Sequence, residues 1–217
     1  MDTALPFGVP LGEYYYGHKN EITVEDFFDF VNNPINKDKK FEFINRRIVF
    51  MAGGTSENHN IISSYIMRKT GNYLEGHPCV LYYDFYLQLY KNGETCENIY
   101  QPDIMINCDR SRKKKGRYGE YIEGAPEFVV EIISKSTGSY DYNDKKDNYI
   151  KYGVKELWLV DLLKDKITTY TNNDTAGPIE TKYTFSDKIK STFFPDLSID
   201  FPEILKMVDK SELDWIR

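Results

Sequence analysis

Two carboxylates interrupt stretches that otherwise read as buried strands: Asp103 in Gln101-Pro-Asp-Ile-Met-Ile106 and Glu131 in Phe128-Val-Val-Glu-Ile-Ile133. A carboxylate in such surroundings loses its hydration and must be paired, protonated or bound to a cation. If the two strands lie side by side, both acids can converge on one Mg2+, a hard ion that takes oxygen ligands and keeps waters, with Mn2+ as a substitute. The competing reading of either acid alone is a loop cap or an ion pair with a buried Arg or Lys. Lys145 and Tyr149 lie one helical turn apart and Tyr152 one turn further, so a helix over 142–152 projects all three toward the strand of Glu131. A lysine there can orient an attacking water or neutralise charge growing on a phosphate; the alternative is a surface lysine in a charged helix. Lys146 belongs on the solvent side of that helix, and Asp141 reads as a cap.

These side chains need elements to carry them, and the pattern along the chain supplies candidates. Thr23 followed by Glu25, Asp26, Phe27, Phe28 and Val31 predicts an N-capped amphipathic helix that ends near Asn32-Asn33-Pro34. Phe41–Ile44 and Arg47–Met51 alternate about Asn45-Arg46, a hairpin that turns Glu42 to one face. Apolar residues at helical spacing predict a long helix over 58–74. Residues 80–90 and 99–106 read as two further strands, the second passing through Pro102-Asp103. Residues 127–134 and 156–161 are nearly continuous apolar strands, and the helix between them, stopped at Gly153, makes a strand–helix–strand crossover. Residues 166–170 and 180–185 extend the sheet and 203–208 form a last helix, so the expected class is α/β, a mixed β-sheet flanked by helices in one domain over 1–217.

Composition excludes several classes. The chain has 217 residues with 41% apolar and 29% charged residues, 18 Tyr and 13 Phe, which is too aromatic for disorder. No apolar run approaches a membrane span and residues 1–12 lack the order of a secretory leader, so a cytoplasmic protein with no membrane partner is expected. The net charge of -6 argues against a histone-like binder but not against a local basic groove. Such a groove has a candidate in Arg110, Arg112, Lys113, Lys114, Lys115 and Arg117, which could touch phosphates or simply be a solvated loop. Cys79, Cys96 and Cys108 are odd in number and irregularly spaced, and read as reduced thiols rather than as a zinc site or disulfide framework. His59, at the start of the long helix, could approach an active cleft but reads rather as a local hydrogen-bonding residue near Ser56 and Glu57, outside catalysis. No phosphate-binding glycine loop, zinc-protease helix or nucleophile elbow occurs.

The order Tyr100-Gln-Pro-Asp103, Glu131-Ile-Ile-Ser-Lys-Ser-Thr137, Asp141…Lys145…Tyr149…Gly153-Val154 and Glu156-Leu-Trp-Leu-Val-Asp161 resembles the Uma-type restriction endonuclease family of the PD-(D/E)XK nuclease superfamily. Phe41–Met51 and His59 resemble its opening segment, and the likeness covers about 24–201. The resemblance implies a restriction-endonuclease-like core, Mg2+-dependent hydrolysis of phosphodiester bonds and a metal held by Asp103 and Glu131. It matches Glu42 to an upstream acidic position. The superfamily pattern places a lysine where this chain has Ile133, and the family pattern moves it to the following helix, at Lys145. Tyr149 then supports Lys145 or the phosphate, or is simply a packed aromatic, and the basic run from Arg110 to Arg117 binds nucleic acid, DNA first, without reading sequence. The resemblance also implies a homodimer. A nuclease-like fold kept as a non-catalytic binding or assembly module is the alternative, because one fold hosts several activities.

Overall fold

The computed structural model describes residues 22–36, 39–51, 56–90, 95–116, 119–133, 145–173, 177–211 and 213. Its first helix, α1 (Val24–Val31), is closed by a capping box in which the Asp26 amide donates to Thr23 Oγ1 at 3.1 Å and the Thr23 amide to Asp26 Oδ2 at 2.9 Å. The strands β1 (Phe41–Ile44) and β2 (Arg47–Phe50) form the expected hairpin. Asn45 and Arg46 both take positive φ, at 50° and 62°, which matches the strand twist in a two-residue turn. The long helix, α2 (Glu57–Tyr73), starts from a Ser56 cap and buries Ile62, Tyr65, Ile66 and Thr70.

Two expected strands are each two strands. Residues 80–90 divide into β3 (Val80–Tyr82) and β4 (Leu87–Leu89), and residues 99–106 into β5 (Asn98–Tyr100) and β6 (Ile104–Asn107). The chain changes sheet at each break. Asp84, at φ 43°, bends the first, and Pro102, which has no N–H for a ladder, lies in the second. The basic run is not a simple loop either, since Lys113–Gly116 (β7) pairs antiparallel with Gly119–Glu123 (β8) as an edge hairpin.

One sheet has the order β2-β1-β5-β4-β8-β7. The other runs β12 (Ile179–Tyr183), β11 (Lys166–Thr171), β10 (Glu156–Asp161), β9 (Phe128–Ile132), β6 and β3. Strands β9 and β10 are parallel, joined through α3 (Lys146–Tyr152), which stops at Gly153 in the left-handed region with φ 97°. A small pair, β13 (Lys188–Lys190) and β14 (Ser198–Asp200), leads to α4 (Phe201–Leu205).

Alternation along the strands sorts the core into layers. Phe41, Phe43 and Ile99 face α1, whereas Ile44, Leu87, Leu89 and Tyr100 of the same sheet meet Met105, Val129, Leu157, Leu159 and Tyr149. The opposite faces of β6, β9 and β10 pack Ile104, Val130 and Trp158 against α2 and α4. The middle layer, between the sheets and α3, is where the candidate acids lie.

The cysteines depart from the sequence reading. Cys79 and Cys108 form a disulfide with their Cα atoms 3.9 Å apart, and Cys96 is a free thiol. The β3–β6 register, Val80 opposite Asn107, continues to Cys79 opposite Cys108; irregular spacing says nothing about neighbours made by strand pairing. Among the described residues no helix is long and apolar enough to cross a membrane.

Candidate active site

Strand β6 pairs antiparallel with β9, Ile104 opposite Val130, so the next pair outward is Asp103 opposite Glu131. Glu131 shares a strand face with Val129, directed to the middle layer, whereas Asp103 stands in the bend just before β6. Glu42 reaches the same layer from β1, on the face of Ile44. It is fully buried.

Lys145 joins two of these acids. Its ammonium is 3.0 Å from Glu42 Oε1 and 3.3 Å from Glu131 Oε1, with only 3% of its side chain exposed. The Gln101 amide donates to Glu42 Oε1 at 3.0 Å, and the Tyr149 hydroxyl donates to Glu131 Oε1 at 2.6 Å. Burial, with Glu131 and Glu42 nearby, holds the Tyr149 phenol well above its usual range, so it stays a donor. Tyr100 packs on Tyr149 with ring centroids 5.3 Å apart and lies 5.8 Å from the Lys145 ammonium, closing one side of the ion pair. Asn148 Nδ2 fixes that ring by donating to the Tyr100 hydroxyl at 2.8 Å.

Asp103 has different partners. Its Oδ2 accepts from the Ile132 amide at 2.7 Å and lies 3.3 Å from His59 Nε2. Its Oδ1 is 3.9 Å from the Lys40 ammonium, which is 3.1 Å from Asp84 Oδ1. Burial acts to raise the Asp103 pKa, but the His59 hydrogen bond, Lys40 and the Ile132 amide outweigh it and hold the carboxyl below its ordinary value. Burial opposes the charge of Lys40 too, yet Asp103, Glu42, Asp84 and Glu131 together raise its pKa.

The structure therefore gathers Glu42, Asp103, Glu131, Lys145 and Tyr149 about one layer. His59, which the sequence reading set aside, joins them, together with Lys40 and Asp84, which it did not single out. Lys40 had a signal: it stands two residues before Glu42 and shares its strand face. His59 had one in the resemblance, which counts it in the opening segment, whereas Asp84 had none, because it comes from a sheet-switching bend that meets Lys40 only after folding.

The donors suit a hard divalent ion. Among the described residues no three His, Cys, Asp or Glu side chains form a ready-made metal cage. Mg2+ does not require one, since it binds through one or two carboxylates and retains waters. Glu42 Oε2 is buried without a hydrogen-bond partner among the described residues, an oxygen that a cation would satisfy.

The basic run lies elsewhere. Strands β8, β4 and β5 separate β7 from β1, which puts the edge roughly 19 Å from β1 at about 4.8 Å per strand. Arg112 is held by Glu127 at 2.8 Å and Lys113 by Glu120 at 2.7 Å, whereas Arg110, Lys114 and Lys115 are exposed. Arg117 lies outside the described residues, as do Ser134 to Thr137 and Asp141.

Two strand-switching sheets flanked by helices, with opposed acids between them, make a mixed α/β fold of the restriction-endonuclease-like class. A crystal structure of a "putative nuclease belonging to DUF820" from Anabaena variabilis shares it, with a TM-score of 0.64 at 16% identity over 83% of this chain and 97% of that one. Residues 24–202 match the model of the Uma2 family, described as "Putative restriction endonuclease", and the chain belongs to that family. An uncharacterized protein of Synechocystis sp. is 29% identical over 154 residues, 70% of this chain and 76% of that protein.

Proposed function

We propose that this protein is a metal-dependent endonuclease that hydrolyses phosphodiester bonds of nucleic acid, DNA in the first place. The observation that carries the reading is the β6–β9 register, which brings Asp103 level with Glu131, together with the buried Oε2 of Glu42 that has no hydrogen-bond partner among the described residues. Asp103 and Glu131 would hold Mg2+ or Mn2+, with Glu42 at its outer side. Such an ion supplies polarisation of a phosphate oxygen and a water made acidic enough to attack at neutral pH. Tyr149 and Lys145 hold Glu131, and Lys145 and the Gln101 amide hold Glu42, so the carboxylates meet the substrate already oriented. His59 and the Ile132 amide fix Asp103 in the same way. Tyr100 and the apolar middle layer keep bulk water from the Lys145 side, which strengthens each of these contacts. Arg110, Lys114 and Lys115 contribute sequence-independent attraction for phosphates.

One observation favours a second reading, a nuclease-like module that binds without cutting: Lys145 already forms ion pairs with both Glu42 and Glu131. Incubation of the protein with plasmid, linear and single-stranded DNA and with RNA, in Mg2+, Mn2+ or EDTA, separates the two. Metal-dependent cleavage abolished in Glu131→Ala supports the enzyme. Nucleic-acid binding with neither cleavage nor Mn2+ binding by titration calorimetry supports the module.

A further inference from the structure

The two lysines of the site differ in what they can reach, and this difference assigns their roles within the nuclease reading, on which the inference rests. Lys145 has 3% of its side chain exposed and sits between Glu42 and Glu131 at 3.0 and 3.3 Å. To touch a phosphate it would have to give up its ion pairs with two buried carboxylates, an exchange that burial makes costly. Lys40 has 32% of its side chain exposed. Its backbone is tied down, because its carbonyl accepts from the Met51 amide at 3.0 Å as the hairpin ladder continues past β1. Its side chain reaches along the Glu42 face to a point 3.9 Å from Asp103 Oδ1, too long for a good hydrogen bond, and 3.1 Å from Asp84 Oδ1. Asp84 is itself 67% exposed and set by the left-handed turn between the sheets, so the contact that steadies Lys40 is at the mouth of the site and easily exchanged.

We propose that Lys40 is a catalytic residue: its ammonium leaves Asp84 to contact a non-bridging oxygen of the scissile phosphate beside Asp103, while Lys145 is a positioning residue that fixes Glu42 and Glu131. The proton stays on Lys40; its part is to offset charge that grows on the phosphate in the transition state. Asp84 keeps the ammonium at the mouth between turnovers. The same placement makes Lys40 a competitor for any cation drawn to Asp103, which gives the inference a readout apart from turnover.

The test compares the wild type with Lys40→Met, Lys40→Arg, Lys145→Met and Glu131→Ala in plasmid cleavage, thermal unfolding and Mn2+ titration calorimetry. In Lys40→Met the expected results are a fall in kcat of about a hundredfold, a melting temperature near that of the wild type, and Mn2+ binding as tight or tighter. Lys40→Arg should recover most of the rate, because the positive charge is kept. Lys145→Met should lose melting temperature. Cleavage by Lys40→Met at the wild-type rate overturns the assignment, as does a Lys40→Met protein that unfolds early and loses Mn2+ in the manner of Lys145→Met. If wild type and Glu131→Ala are equally inert toward every nucleic acid, the nuclease reading fails first and takes the assignment with it.

Discussion

Asp103, in the bend just before β6, comes level with Glu131 of β9, and among the described residues each carboxylate is held by a different set of close contacts. Lys145 and Tyr149 hold Glu131, whereas His59, the Ile132 amide and Lys40 hold Asp103. The hydrogen bonds to one acid are separate from those to the other, so a cation could be added beside both without either set being dismantled.

Removal of the Lys145 ammonium leaves Glu42 and Glu131 buried with a shared counter-ion missing. Lys145→Met should lower stability by about 3 kcal/mol, the cost of breaking a buried ion pair from one side. Chemical unfolding of Lys145→Met beside the double variant Lys145→Met, Glu131→Gln provides the check: the second substitution should return part of the loss. A single variant as stable as the wild type would mean that the ion pair does little for the fold.

Asp103 has a carboxyl pKa held below its ordinary 3.8 in the folded protein. The folded state therefore binds fewer protons there than the unfolded chain, and stability rises with pH through that range. The contribution should be complete above about pH 5 and drain away as the pH falls through 4 toward the lower folded value. Unfolding free energies of wild type and Asp103→Asn, measured without metal from pH 7 to pH 3, should converge as acid is added. A constant gap across that range would contradict the shift.

Along the basic run of residues 110–115 the side chains divide by partner. Glutamine at Arg110, Lys114 and Lys115 should weaken DNA binding and flatten its salt dependence by about 0.9 in the log–log slope for each phosphate that is no longer neutralised. Mn2+ binding should stay as it was. Arg112→Gln should instead cost stability, since it strands Glu127, whose other oxygen receives the Cys108 amide at 2.7 Å. Anisotropy titrations at several salt concentrations, paired with melting curves, distinguish the two behaviours.

Reduction of Cys79–Cys108 opens a loop with a sequence separation of 29, and the loss of that constraint on the unfolded chain is worth about 3.6 kcal/mol. The wild type should melt earlier in reductant, and Cys79→Ser should melt at that lower temperature with or without it. Cys96 should not exchange into the bridge, because burial pushes its thiol up to about 12 and leaves little thiolate. An unchanged melting temperature in reductant would count against the bridge in solution.

Local chemistry made much of this protein legible in its residues alone. The Thr23 cap, the Asn45-Arg46 turn, the period of α2 and the stop at Gly153 each act over a few neighbouring residues, and each lies where its pattern indicates. The apolar strands around Asp103 and Glu131 likewise marked both acids as costly to bury without a partner. Tertiary structure decided the rest. Alternation cannot show that a strand changes sheet, so the breaks after Tyr82 and Tyr100 were invisible although they carry Asp84 and Asp103 into the site. Lys40 and His59, and the pairing of Cys79 with Cys108, depend on segments brought together by strand register and sheet packing. The division of labour between Lys40 and Lys145 depends on depth, a property of the folded surface that a residue's type and spacing do not contain.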